Sequence, residues 1–148
     1  MLHIGTILHP TDFSEHSKNA LHVACALARD YGARLVVLHV ANVPVIDEYQ
    51  TVDPAIIRKE AEDQLHQLEI PMDNVRAERK CILGEDVSEI LRFAKEIKAD
   101  VIVMGTHGRT GLKRLLMGSV AEQVLRQAPC LVLTANSHIT VAPVSHKG

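Results

Sequence analysis

The chain has 148 residues, a hydrophobic content of 47% and a net charge of -2, which fits one domain with an aliphatic core, since Trp is absent and Phe and Tyr number two each. That charge excludes a generally basic nucleic-acid or anionic-membrane surface, and no apolar run approaches the length of a membrane span. Cys25, Cys81 and Cys130 are odd in number, far apart and set among apolar neighbours, so buried thiols are expected rather than a disulfide framework.

In chain order, His3 to His9 is a short apolar strand that Pro10-Thr11-Asp12-Phe13-Ser14 brings to an end. Asp12 followed by Glu15 is a capping-box-like start to a helix. Ala20, Ala24, Leu27, Ala28 and Tyr31 recur on that helix at helical spacing, and Gly32 stops it. Arg34 to Val40 is a second buried strand. Ala41 to Thr51 lacks periodicity and is expected as a loop. Asp53-Pro54 then caps a helix whose buried face is Ile57, Ala61, Leu65 and Leu68.

Asn74 to Leu83 is a third strand, more polar, as befits a place near a sheet edge. Asp86 and Glu89 form a second capping-box-like pair at the head of a helix carrying Val87, Ile90, Leu91, Ala94 and Ile97. Val101 to Met104 is a strand buried on both faces, Val120 to Leu125 reads as a helix, and Cys130 to Thr134 is a fifth strand after Pro129. The alternation β-α-β-α-β-α-β-α-β calls for a single α/β domain, residues 1–134, with a parallel sheet and helices on both faces. Residues 135–148 are expected as a flexible tail, with pairing of Ile139-Thr140-Val141 to a sheet edge as the alternative. Met1-Leu2-His3-Ile4 runs straight into a strand with no visible signal peptide, so a soluble, cytoplasmic protein is expected.

Chemistry concentrates between the fourth strand and the last helix. Gly105, Gly108, Gly111 and Gly118 alternate there with Thr106, His107, Arg109, Thr110, Lys113 and Arg114, and no Asp or Glu occurs between Asp100 and Glu122. Glycines let backbone N–H groups approach an anion, and a helix start adds unpaired donors and partial positive charge. This is a phosphate cradle, yet neither the P-loop nor the G-x-G-x-x-G pattern is present. The spacing is Gly105-x2-Gly108-x9-Gly118-Ser119.

That spacing, with Ile7-Leu8-His9-Pro10-Thr11-Asp12-Phe13-Ser14-Glu15 and Leu38-His39-Val40, resembles the ATP-binding branch of the universal stress protein family from about His3 to Thr134. The resemblance implies an open five-stranded sheet of order 3-2-1-4-5, Rossmann-like in the manner of the adenine nucleotide α-hydrolases. It implies that Asp12 contacts the nucleoside, the Val40 backbone reads the adenine edge and Gly105 passes close to the ribose. Gly108, Gly118, Ser119 and Val120 would bind phosphates, with Pro10 and Thr11 shaping the floor and Met104 giving an apolar contact. Asp12 could also serve simply as a cap, and both roles can coexist. His107 and Arg109 could touch phosphate; for these, and for Lys113 and Arg114, solvated surface is equally compatible.

His9 and His39 end neighbouring strands, but no third ligand stands at a recognisable spacing, so no protein-bound metal is expected. Mg²⁺ (or Mn²⁺) held mainly by the nucleotide's phosphates is the expected ion. The expected function is ATP-dependent regulation in a stress response, with slow ATPase or phosphotransferase activity as the alternative, since the glycine segment offers no acid to orient a water. The resemblance also implies a homodimer through Cys130, Leu131, Val132 and Leu133 of the fifth strand. Neither nucleic acid nor membrane is an expected partner.

Overall fold

The computed structural model describes residues 2–106 and 117–136, with the side chain of Thr51 left aside. Its strands and helices alternate as β1 (Thr6–Pro10), α1 (Glu15–Tyr31), β2 (Arg34–Ala41), β3 (Val45–Asp47), β4 (Gln50–Thr51), α2 (Pro54–Gln67), β5 (Ala77–Leu83), α3 (Asp86–Glu96), β6 (Val101–Gly105), α4 (Ser119–Gln127) and β7 (Leu131–Ala135). The main sheet is parallel, ordered β5-β2-β1-β6-β7. Counting only its five strands, that is the expected order 3-2-1-4-5.

Strand alternation divides the core between two faces. Ile7, Leu35, Val37 and Val103 join Ala20, Leu21, Ala24, Cys25 and Ala28 of α1 and Ala61 and Leu65 of α2. Leu8, Val36, Leu38, Ile102 and Met104 face Val87, Ile90, Phe93 and Ala94 of α3 and Ala121 and Val124 of α4. Each fully buried Leu or Ile contributes roughly 2 kcal/mol by removal from water. Small residues along α1 let it lie close to the sheet. Cys25 is wholly buried there, and burial pushes its thiol up to about 11; Cys81 is buried and Cys130 half-buried, all three as free thiols.

Several boundaries depart from expectation. The first strand spans Thr6–Pro10, and at its head the Asp100 carboxylate accepts from the N–H groups of Gly5 and Thr6 at 2.8 and 2.9 Å. The third strand begins at Ala77 rather than Asn74, and the fifth covers Leu131–Ala135. The expected loop after β2 contains an antiparallel hairpin, β3 with β4, and Val45, Ile46 and Tyr49 on it are exposed. With so little burial, it leaves no alternation to read.

The caps also differ. Ser14, not Asp12, caps α1, and its Oγ accepts from the Ser17 N–H. Glu85, not Asp86, caps α3, accepting from Val87 and Ser88. Asp53 caps α2 with Pro54 behind it, as the sequence indicates, and Gly32 closes α1 at φ 60, a left-handed turn that glycine takes without a Cβ penalty. Among the described residues no helix is long and apolar enough to cross a membrane. The expected tail, apart from Ala135 and Asn136, lies outside the described residues, as do Ile139, Thr140 and Val141.

Candidate functional site

A cleft of about 550 Å³ opens beyond the carboxyl ends of β1, β2 and β6, where the strand order reverses. Ligands of nucleotide size occupy clefts of roughly this volume. Pro10 to Asp12 leave β1 at one side; Leu38 to Ala41 form the end of β2, with Asn42 just beyond; Met104 and Gly105 end β6; and Gly118 to Ala121 begin α4. Helix α2 adds Ile57, Ala61 and Gln64 as a partial roof, and α3 adds Asp86 and Ile90.

The turn after β1 is held by its own hydrogen bonds. Thr11 N–H donates to Leu38 O at 2.8 Å, and Asp12 N–H donates to Ser17 Oγ at 3.2 Å. Phe13 N–H reaches Thr11 Oγ1 at 3.1 Å, and Ser14 N–H reaches Asp12 Oδ1 at 2.9 Å. Phe13 sits at φ 65, a conformation costly for a residue with a Cβ, and its ring meets His39 with centroids 4.5 Å apart. His39 Nδ1 in turn donates to Thr11 O at 2.8 Å. The strained residue is thus over-determined by its neighbours. Asp12 is aimed at the cleft by the turn, and its carboxylate no longer has to cap α1.

Beneath this turn, Pro10 has no N–H, and the β1–β6 register ends at Leu8 with Ile102. His9 supplies a side-chain donor instead, from Nδ1 to Val103 O at 2.8 Å. The ring is wholly buried and its Nε2 has no hydrogen-bond partner among the described residues. Burial, opposed by the Val103 bond and by Asp12, lowers its pKa to about 4, so the ring is neutral at physiological pH. Both histidine Nδ1 atoms are therefore committed to backbone carbonyls.

The opposite side of the cleft is built from backbone. Helices α1, α2 and α3 each have a side-chain cap, but α4 begins after Gly118 with none. Ser119, Val120 and Ala121 of its first turn line the cleft, and among the described residues no side-chain oxygen caps them. Gly118 N–H donates to Thr106 O, which joins the ends of β6 and α4 at one point.

All of the sequence-derived site residues that the structure describes line this one cleft: Pro10, Thr11, Asp12, Val40, Met104, Gly105, Gly118, Ser119 and Val120. His107, Gly108 and Arg109, with Lys113 and Arg114, lie outside the described residues. The structure adds Asn42, Gln64 and Asp86, of which the sequence places Asn42 in a loop, Gln64 within a helix and Asp86 in a capping-box-like pair. Asp86 is half-buried and hydrogen-bonded by the Asn42 side chain. Burial and the negative charges of Glu85 and Asp12 raise its pKa, while His39 and the Asn42 bond oppose the shift. A carboxylate at the head of a helix that begins just beyond a strand terminus was the available signal. It had been assigned to capping.

Comparison with known proteins bears on the family and the fold. The chain matches the universal stress protein family over residues 3–136. A universal stress protein of Thermus aquaticus is 38% identical over 132 residues, covering 86% of this chain and 96% of the relative. The solved structure of MJ0577 from Methanocaldococcus jannaschii superposes with a TM-score of 0.73 at 26% identity, covering 90% of this chain and 96% of that one. A universal stress protein from Archaeoglobus fulgidus, solved in complex with dAMP, superposes with a TM-score of 0.63 at 26% identity, covering 90% and 98%.

Proposed function

The chain belongs to the universal stress protein family, and from that premise we propose that it is an ATP-binding regulatory protein that acts as a homodimer in the stress response of the cytoplasm. The observation that carries the reading is the uncapped start of α4 at the mouth of a nucleotide-sized cleft. Phosphates bind the first-turn N–H groups of α4, with Gly118, Ser119 and Val120 in contact and Gly108, His107 and Arg109 assisting. The nucleoside lies toward β1 and β2, with Asp12 on its hydroxyl or ring donors, the Val40 backbone along its base edge, and Gly105 giving room to the ribose. Pro10, Thr11 and Met104 complete the floor.

Mg²⁺ (or Mn²⁺) is held by the phosphates, because the segment between Asp100 and Glu122 supplies no carboxylate to anchor it. When bound, the ion neutralises phosphate charge. The same lack of an acid favours binding over turnover, since hydrolysis needs a group that orients water at the γ-phosphate. The dAMP complex of the Archaeoglobus fulgidus relative supports an adenine nucleotide as the ligand class.

The test is mass spectrometry of nucleotide released from freshly purified, denatured protein, beside a Gly118→Ala, Ser119→Ala double variant. ATP in the native sample and little in the variant is the expected result. No nucleotide in either, and none bound on adding ATP with Mg²⁺, would remove this function while leaving the fold. Single-turnover conversion at ordinary enzymatic rates would replace binding with catalysis.

A further inference from the structure

The cleft is electrically polarised. Its α4 end offers backbone donors, whereas its far end carries Asp12 after β1, Glu60 on α2 and Asp86 at the start of α3. Asp86 differs from a surface acid in two respects. It lines the cleft while half-buried, and Asn42, just beyond β2, lines the cleft with it and favours its charged form. As the first residue of α3, behind a cap that Glu85 already supplies, it has no capping duty.

A half-buried carboxylate on the wall of a cleft accepts hydrogen bonds from a ligand and repels ligand acceptors and phosphates. Resting on the nucleotide-binding reading above, we propose that Asp86, with Asn42 beside it on the cleft wall, is a specificity-determining residue that accepts a hydrogen bond from a donor on the nucleoside end of the ligand. Two donors have this chemistry, the exocyclic amine of adenine and a ribose hydroxyl. A base presenting a carbonyl in place of the amine meets two acceptors face to face, and such mismatches discriminate strongly because a buried polar group is left unpaired. The same carboxylate keeps phosphate at the α4 end.

The experiment measures dissociation constants of ATP, inosine triphosphate, 2′-deoxy-ATP and 3′-deoxy-ATP for the wild type, Asp86→Asn and Asn42→Ala, with thermal unfolding to verify each fold. Asp86→Asn is expected to weaken ATP about tenfold. If a ribose hydroxyl is the donor, the variant should leave unchanged the binding of the deoxy analogue that lacks it; if the amine is the donor, the variant should tighten inosine triphosphate, whose carbonyl then meets an amide N–H, so that residue and ligand group are coupled in a double-mutant cycle. Coupling with inosine triphosphate assigns the amine; coupling with a deoxy analogue assigns the hydroxyl. Asn42→Ala should reduce the same coupling, and serves alone if Asp86→Asn does not fold. Equal losses for all four nucleotides, or no change for any, overturn the proposal while nucleotide binding stands. Failure of the wild type to bind any of them overturns the binding reading itself, and this inference with it.

Discussion

His9 shows how much one position in a strand can carry. The ring replaces the donor that Pro10 lacks, and it does so in a wholly buried place where it stays neutral. Its pKa is about 4 in the folded chain against 6.5 for an ordinary histidine. Between those values the unfolded chain binds a proton that the folded chain does not. Stability therefore rises with pH across that window, is complete above it, and is lost as pH falls through it. The sum over the window is roughly 3 kcal/mol by linkage. His9→Asn keeps an amide donor for Val103 O but cannot titrate. Its urea-unfolding free energy should be flatter than the wild type's between pH 4 and 6.5; an unchanged slope would assign the acid sensitivity elsewhere. None of this was legible beforehand, since a histidine at a strand end says nothing about which carbonyl it will meet.

At the scale of the element, α4 departs from its three companions by lacking a cap, and this separates stability from binding. Ser119 is exposed and opens the helix, so Ser119→Asp places a negative charge where the helix dipole favours one. The melting temperature should hold or rise slightly, by the equivalent of about 0.5 kcal/mol. Nucleotide affinity should nevertheless fall by about tenfold or more, because the same charge repels phosphate. Calorimetry showing both quantities moving together would argue that phosphate does not sit at this helix. The glycine that ends the signature was readable from spacing, and so was the helix behind it. The caps of α1 and α3 were not, because Asp12-Ser14 and Glu85-Asp86 each offer competing oxygens. The choice between them depends on backbone angles, such as φ 65 at Phe13, that long-range contacts impose.

Across the whole molecule, the sheet order was legible because five apolar strands alternating with amphipathic helices admit few right-handed arrangements. The β3–β4 hairpin was missed for the opposite reason: its residues face solvent and carry no pattern. The outer strand β7 bears on assembly. Thr106 N–H donates to Ala135 O, so alternation turns the backbone groups of Leu131, Leu133 and Ala135 toward β6 and those of Val132 and Thr134 outward. Leu131 and Leu133 are 54% and 40% exposed, an apolar fringe unusual for an edge that stays alone. Val132→Pro removes an outward donor without breaking the β6–β7 ladder. Light scattering should report monomers for that variant and dimers for the wild type. A dimer that survives would place the interface on another surface.

The turn after β1 has a consequence for how the amides of the site meet solvent deuterium. Thr11, Asp12, Phe13 and Ser14 each have the N–H engaged within the protein. Their exchange should be slow from the outset and little altered by ATP, because no proton there awaits a ligand. Ser119, Val120 and Ala121 should show the opposite behaviour, exchanging freely when empty and slowly when filled. A phosphorylated molecule arriving back to front would find saturated amides and a carboxylate where it needs donors. A nucleotide bound as proposed would therefore enter the cleft one way round.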